Sequence, residues 1–67
     1  MSVAKILEIT AESEKSFDDA ITRGIKRASK TVDGIQGAWI KEQKVLVSKG
    51  KITGYRVDMK ITFVLKG

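Results

Sequence analysis

Cysteine, histidine and proline are all absent from this 67-residue chain, and each absence removes a class of answer. Without cysteine there is no disulfide framework, no thiolate zinc site and no cysteine nucleophile. Without histidine, the commonest metal ligand and the commonest general base are both missing. Ser-His-Asp and Cys-His arrangements therefore cannot be assembled. A two-carboxylate or lysine mechanism would need a degree of burial that so small a chain rarely provides. A non-catalytic protein is expected, with no catalytic residue and no metal centre of its own. With no proline, no low-complexity stretch and no internal repeat, nothing marks a linker, and residues 1–67 read as one domain.

Long apolar runs are missing too. The opening MSVAKILEIT is interrupted by Glu8, so it lacks the uninterrupted apolar core of a signal peptide. Nothing approaches membrane-spanning length, and a cytoplasmic location is expected. A domain of this size buries only about 60% of the surface its unfolded chain exposes. Small proteins compensate with disulfides, a structural metal or oligomerisation, and the first two are disfavoured here. Self-association is the expected remedy.

Basic residues are plentiful. Thirteen Lys and Arg stand against eight Asp and Glu, a net charge of +5. That balance suits an anionic partner such as a nucleotide, a phosphorylated cofactor or nucleic acid. It is equally compatible with an ordinary soluble basic surface.

Hydropathy patterning predicts strand, helix, strand, strand. Val3 to Thr10 is rich in β-branched and apolar residues, as a strand requires. Ser13 is placed to cap a helix, with Glu14 in its first turn. Phe17, Ala20, Ile21, Gly24, Ile25, Ala28 and Val32 then recur at the three-and-four spacing of one helical face. Asp18, Thr22, Arg23, Lys26, Arg27 and Lys30 fall on the other. Gly34 stands where a left-handed C-cap is expected, with Ile35 following to pack back on the helix. Gly24 lies on the apolar stripe, where a glycine costs about 1 kcal/mol relative to alanine, so close packing against a neighbour is expected there.

The C-terminal half reads as a long hairpin, with arms 37–48 and 52–66 joined by Ser48-Lys49-Gly50-Lys51 and Gly50 free to take positive φ. Tyr55, Val57, Met59, Ile61, Phe63 and Leu65 alternate with Arg56, Asp58, Lys60, Thr62, Val64 and Lys66, giving one apolar and one largely polar face. The fold class is therefore α+β, β-α-β-β, with a three-stranded antiparallel sheet wrapped partly around one amphipathic helix. A helix of about 18 residues spans about 27 Å, whereas a strand of about 13 spans about 43 Å. The hairpin overhangs its own helix, and its uncovered apolar residues and open edges call for neighbouring subunits.

Three stretches, VAKILEITAESEKSFDDAI, RASKTVDGI and ITGYRVDMKITFVL, taken in order and with their spacings, resemble the dodecin family along nearly the whole chain. That resemblance implies a hollow homododecameric shell that stores or buffers flavin (riboflavin, FMN or FAD) between subunits, and in bacterial members a site for coenzyme A. It also implies a flavin-stacking tryptophan at the start of the second strand and a glutamine just after the aromatic of the third. Counted without a gap, those positions are Gly37 and Arg56 here.

The chain's one tryptophan, Trp39, stands two residues beyond Gly37, on the same face and about 6.6 Å farther along. Trp39, Arg56 and Gly37 are the candidate ligand-binding residues. A ring and a guanidinium on one face can hold a flat anionic ligand by stacking and forked hydrogen bonds. Each also has a plain structural reading, Trp39 as an interface anchor and Arg56 as part of a charge ladder with Asp58 and Lys60.

Glu42 and Asp58 can meet across the hairpin. A hard cation such as calcium wants six to eight oxygens, more than they supply unless symmetry brings copies together. Three functions compete: a shell holding a small molecule, an assembly without flavin holding another anionic ligand or a cation, and a basic nucleic-acid-binding module. The third is disfavoured, since Trp39 is the one stacking ring on the polar face and no RNP-like or Gly-x-x-Gly signature is present.

Overall fold

A computed structural model describes residues 3–65. Strand β1 (Val3–Ser13) leads into helix α1 (Phe17–Ala28), followed by β2 (Ile35–Ser48) and β3 (Lys51–Leu65). The sheet is antiparallel throughout, in the order β1-β3-β2. β3 is thus central, and β1 and β2 are edges. The expected β-α-β-β architecture is what is found. The hairpin arms begin at Ile35 and Lys51 rather than at 37 and 52. Lys66, expected on the polar face of the last strand, lies outside the described residues.

Period-two alternation in β3 makes the core. Val57, Met59 and Ile61 are fully buried, and they meet Ala20 and Ala28 of the helix. Phe17, Ile21 and Ile25 pack around that cluster from α1, and Ile9 and Ala11 from β1. The opposite helix face, Asp18, Thr22, Arg23, Lys26 and Arg27, is exposed, as is Lys30 just past the helix end. Gly24 is buried against the sheet, where an added Cβ would run into Met59 Cε and stand 3.1 Å from Ala11 Cβ. Close packing thus explains the mid-helix glycine.

The start of the helix differs from expectation. The N-cap is Ser16, not Ser13: extended backbone at Ser16 lets its hydroxyl accept from Asp19 N at 2.9 Å. Ser13 instead ends β1, opposite Tyr55. Its hydroxyl donates to Asp19 Oδ2 and accepts from Lys15 N at 2.9 Å.

The helix also stops early, at Ala28. Ser29 Oγ and Thr31 Oγ1 bond back to the carbonyls of Lys26 and Ala28, and such local bonds compete with helix continuation. Gly34 is therefore not the C-cap. It holds φ +76° in the following loop, where its carbonyl accepts from Val64 N at 3.0 Å and a Cβ would meet Val64 O.

The hairpin closes through Lys49 and Gly50 at φ 51° and 77°, and positive φ at both central residues suits the right-handed twist of the arms. Twelve helical residues span about 18 Å, while the molecule measures 51 × 19 × 13 Å. The helix lies over β1 and β3. Ile40, Val45 and Val47 of β2 and Ile52 of β3 remain exposed. The overhang read from the sequence is larger than expected. Among the described residues, no helix is long and apolar enough to cross a membrane.

Candidate functional site on the outer sheet face

Strand pairing decides which side chains share the face turned away from the helix. In β3 that face carries Arg56, Asp58, Lys60 and Thr62, the alternates of the buried Val57, Met59 and Ile61. Residues directly opposite on neighbouring strands point the same way. Gly37 faces Thr62 and Trp39 faces Lys60 from β2, so both lie on this side. From β1, Glu8 faces Lys60, Thr10 faces Asp58 and Glu12 faces Arg56.

A register shift between Ile40 and Glu42 then changes the phase of β2. One extra residue, Lys41, is inserted, as in a β-bulge. Beyond it the even-numbered residues come to the outer face, Glu42 opposite Asp58 and Lys44 opposite Arg56.

Trp39 is 65% exposed, a large apolar surface for a side chain outside the core. Beside it, a Cβ at Gly37 would meet nothing within 4 Å, so the face is open on that side of the ring. Arg56 shares the face but not the neighbourhood. Lys60, opposite Trp39, and Arg56 are four residues apart on β3, about 13 Å. Arg56 Nε is engaged with Glu12 Oε1 at 3.1 Å. A ligand touching both Trp39 and Arg56 must be that long, or must draw one of them from a neighbouring subunit. Around Arg56, a shallow groove is lined also by Thr10, Glu42, Lys44 and Asp58.

Three carboxylates crowd the middle of the face. Glu42 stands directly opposite Asp58, a like-charge pairing that weakens a sheet. Desolvation, then the hydrogen bond with Glu8 and its charge, pushes the Asp58 carboxyl above the ordinary range. Glu8 moves the other way, held down first by its hydrogen bond with Asp58 and then by Lys41, whose Nζ lies 3.4 Å from Glu8 Oε2. Sequence reading singled out Glu42 and Asp58 but missed Glu8, Lys41 and Lys44. The break that Glu8 makes in an apolar run was its one visible signal. Among the described residues, no group of three or more Asp or Glu is arranged to hold a metal ion.

The Asp58 shift sets a pH dependence. An acid whose pKa is raised on folding binds more protons folded than unfolded, so stability falls as pH rises through the window between the two values. At neutral pH the ionised Asp58 therefore weakens the fold. Asp58→Asn keeps a donor for Glu8 and removes the charge. Its melting temperature is expected to exceed the parent's at neutral pH, with the advantage shrinking as pH falls towards about 3.9, the ordinary aspartate value. Thermal melts at both pH values check this, and an advantage that is absent at neutral pH counts against the crowding.

Comparison with known proteins gives one answer throughout. The family model that matches is Dodecin, over residues 3–66. The calcium dodecin of Mycobacterium tuberculosis is 37% identical over 67 residues, 98% of this chain and 93% of that one. Its crystal structure, described as a calcium-chelating immunodominant antigen with a novel calcium-binding site, superposes with a TM-score of 0.83 at 33% identity, over 97% of this chain and 93% of that one. A dodecin from Streptomyces davaonensis superposes with a TM-score of 0.93 at 29% identity, over 98% of this chain and 97% of that one.

Proposed function

The chain belongs to the dodecin family, and from that membership we propose that it is a non-catalytic subunit of a self-assembling shell, a homododecamer, that binds and stores a small molecule. The uncovered hairpin carries this reading. Ile40, Val45 and Val47 of β2 and Ile52 at the start of β3 are exposed on the hairpin, and burying them against other copies removes that apolar surface from water.

The ligand is held on the outer sheet face by the Trp39 ring, beside the open position at Gly37. Flavin is the first ligand to test, because a flat isoalloxazine matches an exposed indole. Arg56, about 13 Å along the face, serves a phosphate at the far end of a longer ligand such as FMN, FAD or coenzyme A.

Light scattering on a sizing column, with flavin absorbance followed on the same peak, tests both parts. A peak near twelve subunits that turns yellow with added riboflavin or FMN is expected. A monomer mass would overturn the shell. A peak of the right mass that stays colourless would remove flavin and leave the shell.

A second reading is favoured by the carboxylates. Glu42 directly opposite Asp58, with Glu8 beside them, is a costly arrangement that a divalent cation would relieve. One chain supplies too few oxygens for calcium, so a neighbouring subunit has to complete the site. Under this reading calcium reverses the order of the Asp58→Asn pair, making the parent the more stable. Terbium luminescence sensitised by Trp39 would report the bound ion.

A further inference from the structure

The helix carries a charged surface that the sheet-face site does not use. Lys26 and Arg27 lie three and four residues after Arg23, Lys30 lies three and four after Arg27 and Lys26, and all four are exposed. The helix turns its other side, Ala20, Gly24 and Ala28, into the core. Arg23 is paired with Asp19 at 2.7 Å, whereas Lys26, Arg27 and Lys30 enter no ion pair among the described residues. On the sheet face, by contrast, Lys41 and Arg56 are matched with Glu8 and Glu12, Lys60 stands opposite Glu8, and Lys44 lines a groove with Glu42 and Asp58. Three cations without an ion pair, Lys26, Arg27 and Lys30, thus lie together at the C-terminal end of the helix, with Arg23 a turn before them.

Helix electrostatics accounts for part of this. Lys26 and Arg27 occupy the last turn, where a cation complements the dipole. Arg23 lies a turn earlier and Lys30 beyond the helix end, so the stripe is longer than that effect explains. From Arg23 to Lys30 it runs about 10 Å at a helical rise. The surface is convex and the cations are strung out along it. That geometry suits an extended row of phosphates better than a single small anion. Among the described residues, every large hydrophobic residue that is exposed lies on a strand, so the helix has no exposed apolar side chain to insert into lipid, as a membrane-surface helix does.

We infer that this flank of α1 is a contact surface for the phosphate backbone of double-stranded DNA, bound without regard to sequence. Arginine forks and lysine ammonium groups engage phosphate oxygens and release condensed counterions. One stripe binds weakly, and the copies brought together by self-assembly raise the avidity. The inference is independent of which molecule the sheet face holds.

Fluorescence anisotropy of a labelled, mixed-sequence DNA duplex, titrated with the full chain across a salt series, tests it. The parent is expected to bind at about 50 mM salt and to lose affinity steeply as salt rises. The variant Lys26→Gln/Arg27→Gln/Lys30→Gln is expected to bind at least about tenfold more weakly, with a salt slope smaller by about two to three, near 0.9 for each phosphate contact removed.

Lys49→Gln/Lys51→Gln removes charge from the hairpin tip and is expected to change affinity by less than about twofold, since it leaves the stripe intact. Should the triple variant elute differently on a sizing column, Lys30→Gln alone, outside the helix, carries the test with a slope change of about one. Equal losses from helix and hairpin variants would overturn the inference by reducing the attraction to net charge. No anisotropy change at low salt would also overturn it, as would tighter binding to vesicles of equal parts phosphatidylserine and phosphatidylcholine than to DNA. Quenching of Trp39 by flavin should be the same in parent and triple variant, which keeps this test separate from that of the ligand site.

Discussion

Gly24→Val is expected to cost about 3 kcal/mol, a large share of the roughly 5–15 kcal/mol that holds a typical domain together. At this position the helix lies close against the sheet. A Cβ added there would run into Met59 Cε, with Ala11 Cβ at 3.1 Å and Ile9 Cδ1 at 3.4 Å. The methionine end is flexible, but it has little free space to enter. Met59 is fully buried, as are its neighbours Ala20, Val57 and Ile61.

Alanine at this site gains about 1 kcal/mol of helix propensity, which offsets much of the strain of one methyl group. Valine adds two further methyls on a stiff, β-branched side chain, and the helix has to move off β1 and β3. Urea unfolding should show a lower midpoint at an unchanged slope, the sign of lost stability without a change in the surface exposed. The cause can be isolated with Met59→Ala. Alone, that change leaves a cavity and costs about 2–5 kcal/mol. Combined with Gly24→Val it should cost clearly less than the sum, because the added methyls occupy the vacated space. Strict additivity would place the valine's damage elsewhere.

The same contact shows how much of the fold was legible. The helical stripe from Phe17 to Ala28 and the alternation in β3 specify the core directly, since burial follows the two periods. Gly24 could be read as a close approach because a mid-helix glycine on the apolar side has little other use. The helix ends could not be read as well. Ser13 and Ser16 are both plausible caps, each with acidic residues just after it. The choice depends on β1 continuing to pair with β3 as far as Tyr55, a non-local fact. The spacing Ser16-x-x-Asp19 was the available clue, close to a capping box. At the other end, the return bonds of Ser29 and Thr31 stop the helix before Gly34 is reached.

That the candidate residues share one face was legible, and the distances between them were not. Parity alone placed Gly37, Trp39 and Arg56 on one face, and the strand register agrees. Parity does not report how far apart residues on different strands lie, and pairing turns Trp39 and Arg56 into neighbours of different residues, Lys60 and Glu12. Nor does the sequence mark Lys41 as the inserted residue of a bulge. That insertion brings Glu42 and Lys44 to the face that holds Trp39. Without it, Lys41, Gln43, Val45 and Val47 would follow the tryptophan's phase instead.

Trp39→Ala is expected to keep the assembled mass and to lower flavin affinity about 5- to 150-fold, the range set by about 1–3 kcal/mol for stacking on an aromatic side chain. The exposure of Trp39 is the reason to expect so large an effect from one side chain. An indole left 65% exposed in the subunit has most of its surface available to a ligand or to another copy, and removing it takes little from the core of its own chain.

Two outcomes separate these roles. If the ring is the ligand's platform, the sizing-column peak stays in place while added riboflavin or FMN keeps its fluorescence. If the ring is an interface anchor, truncation costs at least about 2 kcal/mol at every copy of the contact, and the assembly falls apart before any ligand is added. Trp39→Phe sharpens the comparison. A smaller flat ring preserves stacking in part and should give intermediate flavin affinity, whereas an anchor fitted to an indole loses most of its packing and should weaken assembly. Intact mass with a graded loss of flavin binding from tryptophan through phenylalanine to alanine is the expected pattern. Graded loss of mass in the same order would assign Trp39 to the subunit interface and leave the ligand to the carboxylates around Asp58.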